Sequence, residues 1–368
     1  MYDIGRSKRA QRAYSLDDLT IVPTRRTRGI EEVDLHWRLD AVEFEFPILA
    51  APMDSIMSPA TAITIGKLGG LGVLNLEGLW TRYEHPEEQL DQLSAIQDPV
   101  EATRRMQSLY AAPIDPELIT RRLTEIREAG VPVAGSLSPR HVAEFAGVVE
   151  KAGVDFFVIR GTTVSAEHVS SVHEPLNLKQ FIYDLDVPVI VGGCATYQAA
   201  LHLMRAGAAA VLVGFGGGAT HATLDVLGVA VPMATAIADV AEARRDYMDQ
   251  SGGRYVHLIA DGGVGRTGTI AKAFACGADA VMVGSPLARA AEAPGHGWHW
   301  GAEAWHADLP RGERVRFSPI GSLEEIMLGP SSVSDGTMNL VGALRRTLAT
   351  TGYTDVKAFQ RVEVVLNR

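Results

Sequence analysis

The stretch Tyr255–Ala288, YVHLIADGGVGRTGTIAKAFACGADAVMVGSPLA, decides how the rest of the chain is read. It opens on an apolar run, YVHLIA, and breaks at the glycine turn ADGGVG. It continues through GTIAKAFACGAD to a second apolar run, DAVMVG, and breaks again at VGSPLA. Both runs are apolar throughout rather than alternating, which is the pattern of parallel strands buried on both faces. The segment between them has helical periodicity and closes near a glycine, as helix C-termini do.

The same unit recurs upstream. The runs are PILAA (Pro47–Ala51), LGVLN (Leu71–Asn75), VPVAGS (Val131–Ser136), VDFFVI (Val154–Ile159), VPVIVG (Val187–Gly192) and AAVLVG (Ala209–Gly214). Helical stretches such as PELITRRLTEIREAG and TYQAALHLMRAG lie between them. Eight β–α units are the (β/α)8, or TIM, barrel number, so an α/β barrel is expected. A doubly wound open sheet would show fewer strands and a dinucleotide fingerprint in its first turn, which is absent. The 368 residues read as a single domain over 1–368, with the barrel over about 45–295. A polar helical excursion occupies about 77–130, its acidic part being Glu77–Tyr110, and a C-terminal extension runs over about 295–368.

A formal net charge of −10 argues against a polyanion partner, and no long Lys/Arg run offsets it, so no nucleic acid is expected. Two widely spaced cysteines, Cys194 and Cys276, build no disulfide framework, which points to a cytoplasmic protein. The N-terminus lacks the apolar core of a signal peptide, and no apolar run reaches the roughly 18 residues of a membrane span.

In such barrels the loops at the C-terminal strand ends make the site, with phosphate often held after strands seven and eight. Gly262, Gly263, Gly284 and Ser285 occupy those two positions. Glycine lets the backbone approach an anion, a following helix aims N–H groups at it, and Ser285 adds a hydroxyl donor. Asp261, just before the glycines, suits a ribose diol. The plainer alternative is that the glycines only make tight turns. The loop after strand six, VGFGGGATHAT (Val213–Thr223), is weaker evidence by itself.

Taken together, SLDDLTIVP, PILAAPMDS, GGLGVLN, VGFGGG, ADGG, GTIAKAFACGADAVMVGSPLA and EAPG resemble the IMP dehydrogenase/GMP reductase family from about Ser15 to Gly295. The closest likeness is to the IMP-dehydrogenase-related subfamily without the regulatory cystathionine-β-synthase-type domain pair. The resemblance implies a purine nucleotide-binding oxidoreductase whose family reaction is NAD-dependent oxidation of IMP to xanthosine monophosphate. It implies Met53 against the purine, Asp261 on the ribose, Gly262, Gly263, Gly284 and Ser285 on the phosphate, and Gly321 and Ser322 near phosphate and base. It also implies IMP or GMP as ligand, a homo-oligomer (tetramer or octamer), and K+ held by backbone carbonyls at Gly216 and Gly218.

The family attacks the purine with a cysteine thiolate on the loop after strand six. Aligned on its glycines and Pro232, that position is His221, and the loop has no cysteine. His221 can move protons and Thr223 could serve as nucleophile beside it. At the end of strand four, where the family holds a ribose of NAD with an aspartate, stands Arg160, followed by Gly161 and Thr162. Arg160 would suit an anion such as the second phosphate of NADP, or it forms an ion pair with Asp155 or Glu167. The expected asparagine of the strand-five loop is Gly193, and the serine of the strand-six loop is Ala219. These departures raise a second reading, a non-catalytic paralogue that senses IMP or GMP.

One feature lies outside this pattern. His296, His299 and His306 are interleaved with Trp298, Trp300 and Trp305. Their spacing fits no zinc pattern, and a surface hairpin or subunit contact is the expectation.

Overall fold

The computed structural model describes residues 2–171, 175–215, 218–220, 223–306 and 314–367. Eight parallel strands close a barrel: β1 (Ile48–Ala50), β2 (Leu71–Asn75), β3 (Ala134–Leu137), β4 (Phe156–Arg160), β5 (Val189–Cys194), β6 (Ala210–Val213), β7 (His257–Asp261) and β8 (Ala280–Val283). Each pairs with its neighbours in sequence, and β8 closes on β1 with Val281 opposite Ile48 and Val283 opposite Ala50. The strands are almost wholly buried, because each is covered by helices outside and by the filled barrel inside.

Helices alternate with the strands. The proline-led starts are written locally: Pro86, Pro99 and Pro116 stand at the first position of α2 (Pro86–Ala95), α3 (Pro99–Tyr110) and α4 (Pro116–Glu128). Proline has no N–H to lose there, and the Asp98 and Asp115 carboxylates cap the amides of Glu101 and Glu117. The segment between β2 and β3 is therefore helical. Its α4 packs on α1 (Pro59–Leu68) and on α5 (Val142–Ala152) in the outer layer, while α2 and α3 bury a separate apolar cluster of Leu79, Trp80, Leu90, Leu93, Met106 and Tyr110.

The N-terminal end of the barrel is shut. An antiparallel pair, Trp37–Leu39 with Val42–Phe44, lies across it. Trp37 stacks on Phe44 at 5.2 Å and donates from Nε1 to Nδ1 of His257 at the start of β7. Phe44 meets Phe156 at the start of β4. The C-terminal mouth stays open. Beyond the barrel, α12 (Leu340–Thr351) packs on α10 (Thr267–Ala275), and the last strand, Val364–Leu366, pairs antiparallel with Leu19–Ile21. No described helix is long and apolar enough to cross a membrane.

The His/Trp-rich segment departs from expectation. Trp298–His299 does pair antiparallel with Val315–Arg316, and His296 is exposed while Trp298 and Trp305 are half-buried, but the centre of the segment is interior. His299 and Trp300 are each 2% exposed. Trp300 Nε1 donates to the Tyr110 hydroxyl and Trp298 Nε1 to the Ser94 carbonyl, which fastens the segment onto α2 and α3. Three bulky indoles stabilise a fold most when buried, and here each has found an apolar wall or a polar partner. No group of three or more metal-ligating side chains occurs among the described residues.

Candidate functional site

A cleft of about 480 Å³ opens at the C-terminal mouth. Met53, Asp261, Gly262, Gly263, Gly284 and Ser285, six of the eight residues the sequence assigns to nucleotide binding, line it together. Arg160 and Gly218 also line it. The turn after β7 is left-handed at Gly262 (φ 101°) and Gly263 (φ 71°), which turns the chain sharply into α10. The amides of Gly263, Gly265 and Ser285 and the Ser285 hydroxyl make no hydrogen bond with the described protein. The Gly263 and Gly265 amides lie in the turn leading into α10 and the Ser285 donors in the turn after β8, and uncommitted N–H and O–H donors of this kind suit an anion.

Gly214 has a different reason to be glycine. A Cβ there would stand 1.8 Å from the Asp261 carbonyl oxygen, so its absence lets the ends of β6 and β7 approach and sets where Asp261 begins its turn.

Asp261 is not a lone acceptor. Arg160 Nε donates to its Oδ2 at 2.9 Å, with the two side chains 20% and 13% exposed. Asp155 and Glu167, the partners expected for Arg160, are engaged elsewhere: Asp155 accepts the Val133 amide, and Glu167 lies 3.7 Å from His202. Burial lowers the Arg160 pKa, but the charges of Asp261 and Glu303 outweigh it and leave it raised, so the guanidinium stays charged. Gly161 and Thr162 do not line the cleft; Gly161 donates its amide to the Gly192 carbonyl, and Thr162 gives its hydroxyl to Glu303.

Other expectations fare differently. Thr223, the first residue of α8 (Thr223–Leu227), is fully buried and does not line the cleft, which does not suit a nucleophile. Gly321 and Ser322 also lie outside the lining; Ser322 caps α11 (Leu323–Leu328) through the Glu325 amide. His221 and Gly216 lie outside the described residues. The two cysteines are no substitute for the missing thiolate. Cys194 ends β5, wholly buried, with its thiol pushed up to about 12, and Cys276 is pushed up to about 11, both by burial. A thiol so raised is protonated at neutral pH and is not a nucleophile.

Several cleft residues carry no signal in the sequence pattern. His299 presents its ring to Gly284, where a Cβ would stand 3.5 Å from both the ring and the Met53 sulfur. Ser55 holds His299 Nδ1 at 3.0 Å. The preceding residue, Asp54, is buried and accepts from Asn75, the Leu79 amide and the Tyr110 hydroxyl. Burial raises its pKa to about 6 against those bonds. The Met53–Ser55 loop is thereby braced against β2, α3 and the Trp298–Trp300 segment. At the far end the lining is Asp17, Arg266, Thr269, Arg289, Asp335 and Thr337. Arg289 lies within one turn of Ser285, the only hint the sequence offers for this end.

The fold and the cleft define a class: a (β/α)8 barrel with a polar, glycine-built ligand site at the mouth of its last two units. The profile of the IMP dehydrogenase / GMP reductase domain matches residues 13–306, and the chain belongs to that family. Among its relatives, an uncharacterized oxidoreductase of Mycolicibacterium smegmatis is 51% identical over 98% of both chains. An inosine-5'-monophosphate dehydrogenase of Methanocaldococcus jannaschii is 26% identical, with 78% of this chain and 74% of the relative covered. The crystal structure of an IMP dehydrogenase/GMP reductase-like protein from Corynebacterium glutamicum superposes with a TM-score of 0.95 at 49% identity, over 100% of this chain and 97% of that one.

Proposed function

We propose that this protein binds a purine nucleoside monophosphate, IMP or GMP, at the barrel mouth and does not carry out the family's thiolate-dependent oxidation of IMP. The observation that carries the binding is the convergence of Met53, Asp261, Gly262, Gly263, Gly284 and Ser285 on one cleft, with amide and hydroxyl donors left over for a phosphate. The cleft's volume is within the range of small-ligand sites. In this reading the phosphate takes the amides of Gly263, Gly265 and Ser285. The ribose lies by Asp261, whose Oδ1 is the oxygen not taken by Arg160. The base lies along the Met53 thioether.

The observation against thiolate chemistry is that Cys194 is buried and Cys276 half-buried, and burial raises both thiols far enough to keep them protonated at neutral pH. The residues expected to hold NAD or NADP do not fit that task. Arg160 is turned to Asp261, Gly161 is outside the lining, and the Thr162 hydroxyl is committed to Glu303. A second reading, an oxidoreductase using another attacking group, is favoured by the naming of the M. smegmatis relative. Calorimetric titration with IMP and GMP, run beside an NAD(P)-reduction assay with IMP, separates the two. Binding without turnover supports the proposal, turnover supports the second reading, and absence of purine binding sinks both.

A further inference from the structure

The Arg160 side chain is tied to the described protein through one nitrogen. Nε donates to Asp261 Oδ2 at 2.9 Å, while Nη1 and Nη2, which carry two N–H donors each, make no hydrogen bond with it. Among the described residues, Trp80 Nε1 is the sole fully buried side-chain nitrogen or oxygen without a partner. The terminal nitrogens of Arg160 are therefore not sealed in the core; they open on the cleft that Arg160 lines. The side chain is held there across a long span, because β5 and β6 separate its own strand, β4, from β7 around the barrel. A charged fork that is only 20% exposed, with its end donors unmet, is costly unless a ligand or water accepts from it.

Two observations decide what it accepts. The charges of both Asp261 and Glu303 act on this guanidinium. An incoming anion, such as the second phosphate of NADP, would meet one cation already faced by two carboxylates, so a neutral oxygen acceptor is favoured over an anion. The second observation is that Arg160 occupies Asp261 Oδ2 and leaves Oδ1. An ionised carboxylate accepts and a guanidinium donates. Side by side they complement a vicinal diol, in which each hydroxyl has a proton to give and lone pairs to receive one. Resting on the nucleotide reading above, we propose that Arg160 is a specificity-determining residue that shares the ribose with Asp261. Asp261 Oδ1 accepts from one hydroxyl of the diol, and the terminal fork of Arg160 donates to the oxygen of the other. The sequence assigned the ribose to Asp261 alone; the division of the diol between two strands follows from the ion pair.

The test is titration of wild type and Arg160→Lys with IMP, 2′-deoxy-IMP and 3′-deoxy-IMP, alongside thermal melts. Wild type is expected to bind each deoxy form at least about tenfold more weakly than IMP, the lower bound for a lost hydrogen bond to a charged group. Lysine keeps a cation beside Asp261, but its nitrogen ends one bond short of the guanidinium's terminal nitrogens. Arg160→Lys is therefore expected to bring one deoxy form within about threefold of IMP and to leave the other at least about tenfold weaker, with the melting temperature kept. If Arg160 served only to hold Asp261, lysine would restore both wild-type ratios, and that result overturns the proposal. Loss of both ratios together overturns it as well, because the two hydroxyls would then share one reader. Wild type alone can also refute it: a deoxy form that matches IMP removes one partner of the diol and leaves the nucleotide site standing. Failure of wild type to bind IMP at all overturns the nucleotide reading itself.

Discussion

Replacing Ser285 by alanine removes one hydroxyl and little else. The Ser285 side chain lines the cleft and makes no hydrogen bond with the described protein, so its loss strands no partner and opens no cavity in the core. The folded state should keep its melting temperature within about 1 °C, as surface changes without lost contacts do. A hydroxyl-to-phosphate hydrogen bond is charge-assisted and contributes about 1.5–3 kcal/mol. That amounts to roughly a 10- to 150-fold rise in Kd for IMP or GMP. Calorimetry reads the affinity directly, and the loss should be shared by inosine monophosphate and inorganic phosphate but not by inosine. An IMP affinity within twofold of wild type would refute the reasoning, because it would mean the phosphate does not reach the turn after β8.

Gly214→Ala should cost several kcal/mol of stability and weaken nucleotide binding together, because its methyl would collide with the Asp261 carbonyl; an alanine variant with native melting and binding contradicts the close approach of β6 and β7. Asp54 gives a pH signature. Its folded pKa of about 6 stands above the 3.8 of an ordinary aspartate, so the native state favours the protonated form. Stability is then highest below about pH 4, falls as pH rises to about 6, and is flat beyond; about two pH units at about 1.4 kcal/mol each give about 3 kcal/mol. Chemical denaturation of wild type against Asp54→Asn should show that slope only in wild type, and parallel pH profiles would refute it. Finally, Cys194→Ala with Cys276→Ser should leave nucleotide affinity unchanged and any turnover intact; lost turnover with preserved folding would return a cysteine to the chemistry.

The barrel was legible because parallel strands covered on both faces write themselves as unbroken apolar runs. LGVLN coincides with β2, and the other seven runs overlap their strands within a few residues. The glycines at the ends of β7 and β8 were legible for a related reason, since turns that face a ligand tolerate little else. Arg160 shows the limit. Its sequence neighbours offered Asp155 and Glu167, but strand curvature around the barrel brings it to Asp261, about one hundred positions away. The burial of Trp300 was not legible because its wall is supplied by α2 and α3, some two hundred residues earlier. The Trp37–Phe44 plug alternates apolar and polar residues with period two, a strand signal carried by the sequence itself. Asp335 and Thr337 carry no local signal at all: only their contact with Arg289 brings them to the site.

The claim on which the rest depends is that the amides at the ends of β7 and β8 seat a nucleotide's 5′-phosphate. A crystal structure of the protein with IMP tests it most directly. The account predicts phosphate oxygens within hydrogen-bond distance of the Gly263 and Ser285 amides, with a ribose hydroxyl on Asp261 and the base against Met53. Nucleotide bound elsewhere, or none at the barrel mouth at saturating IMP, would contradict it.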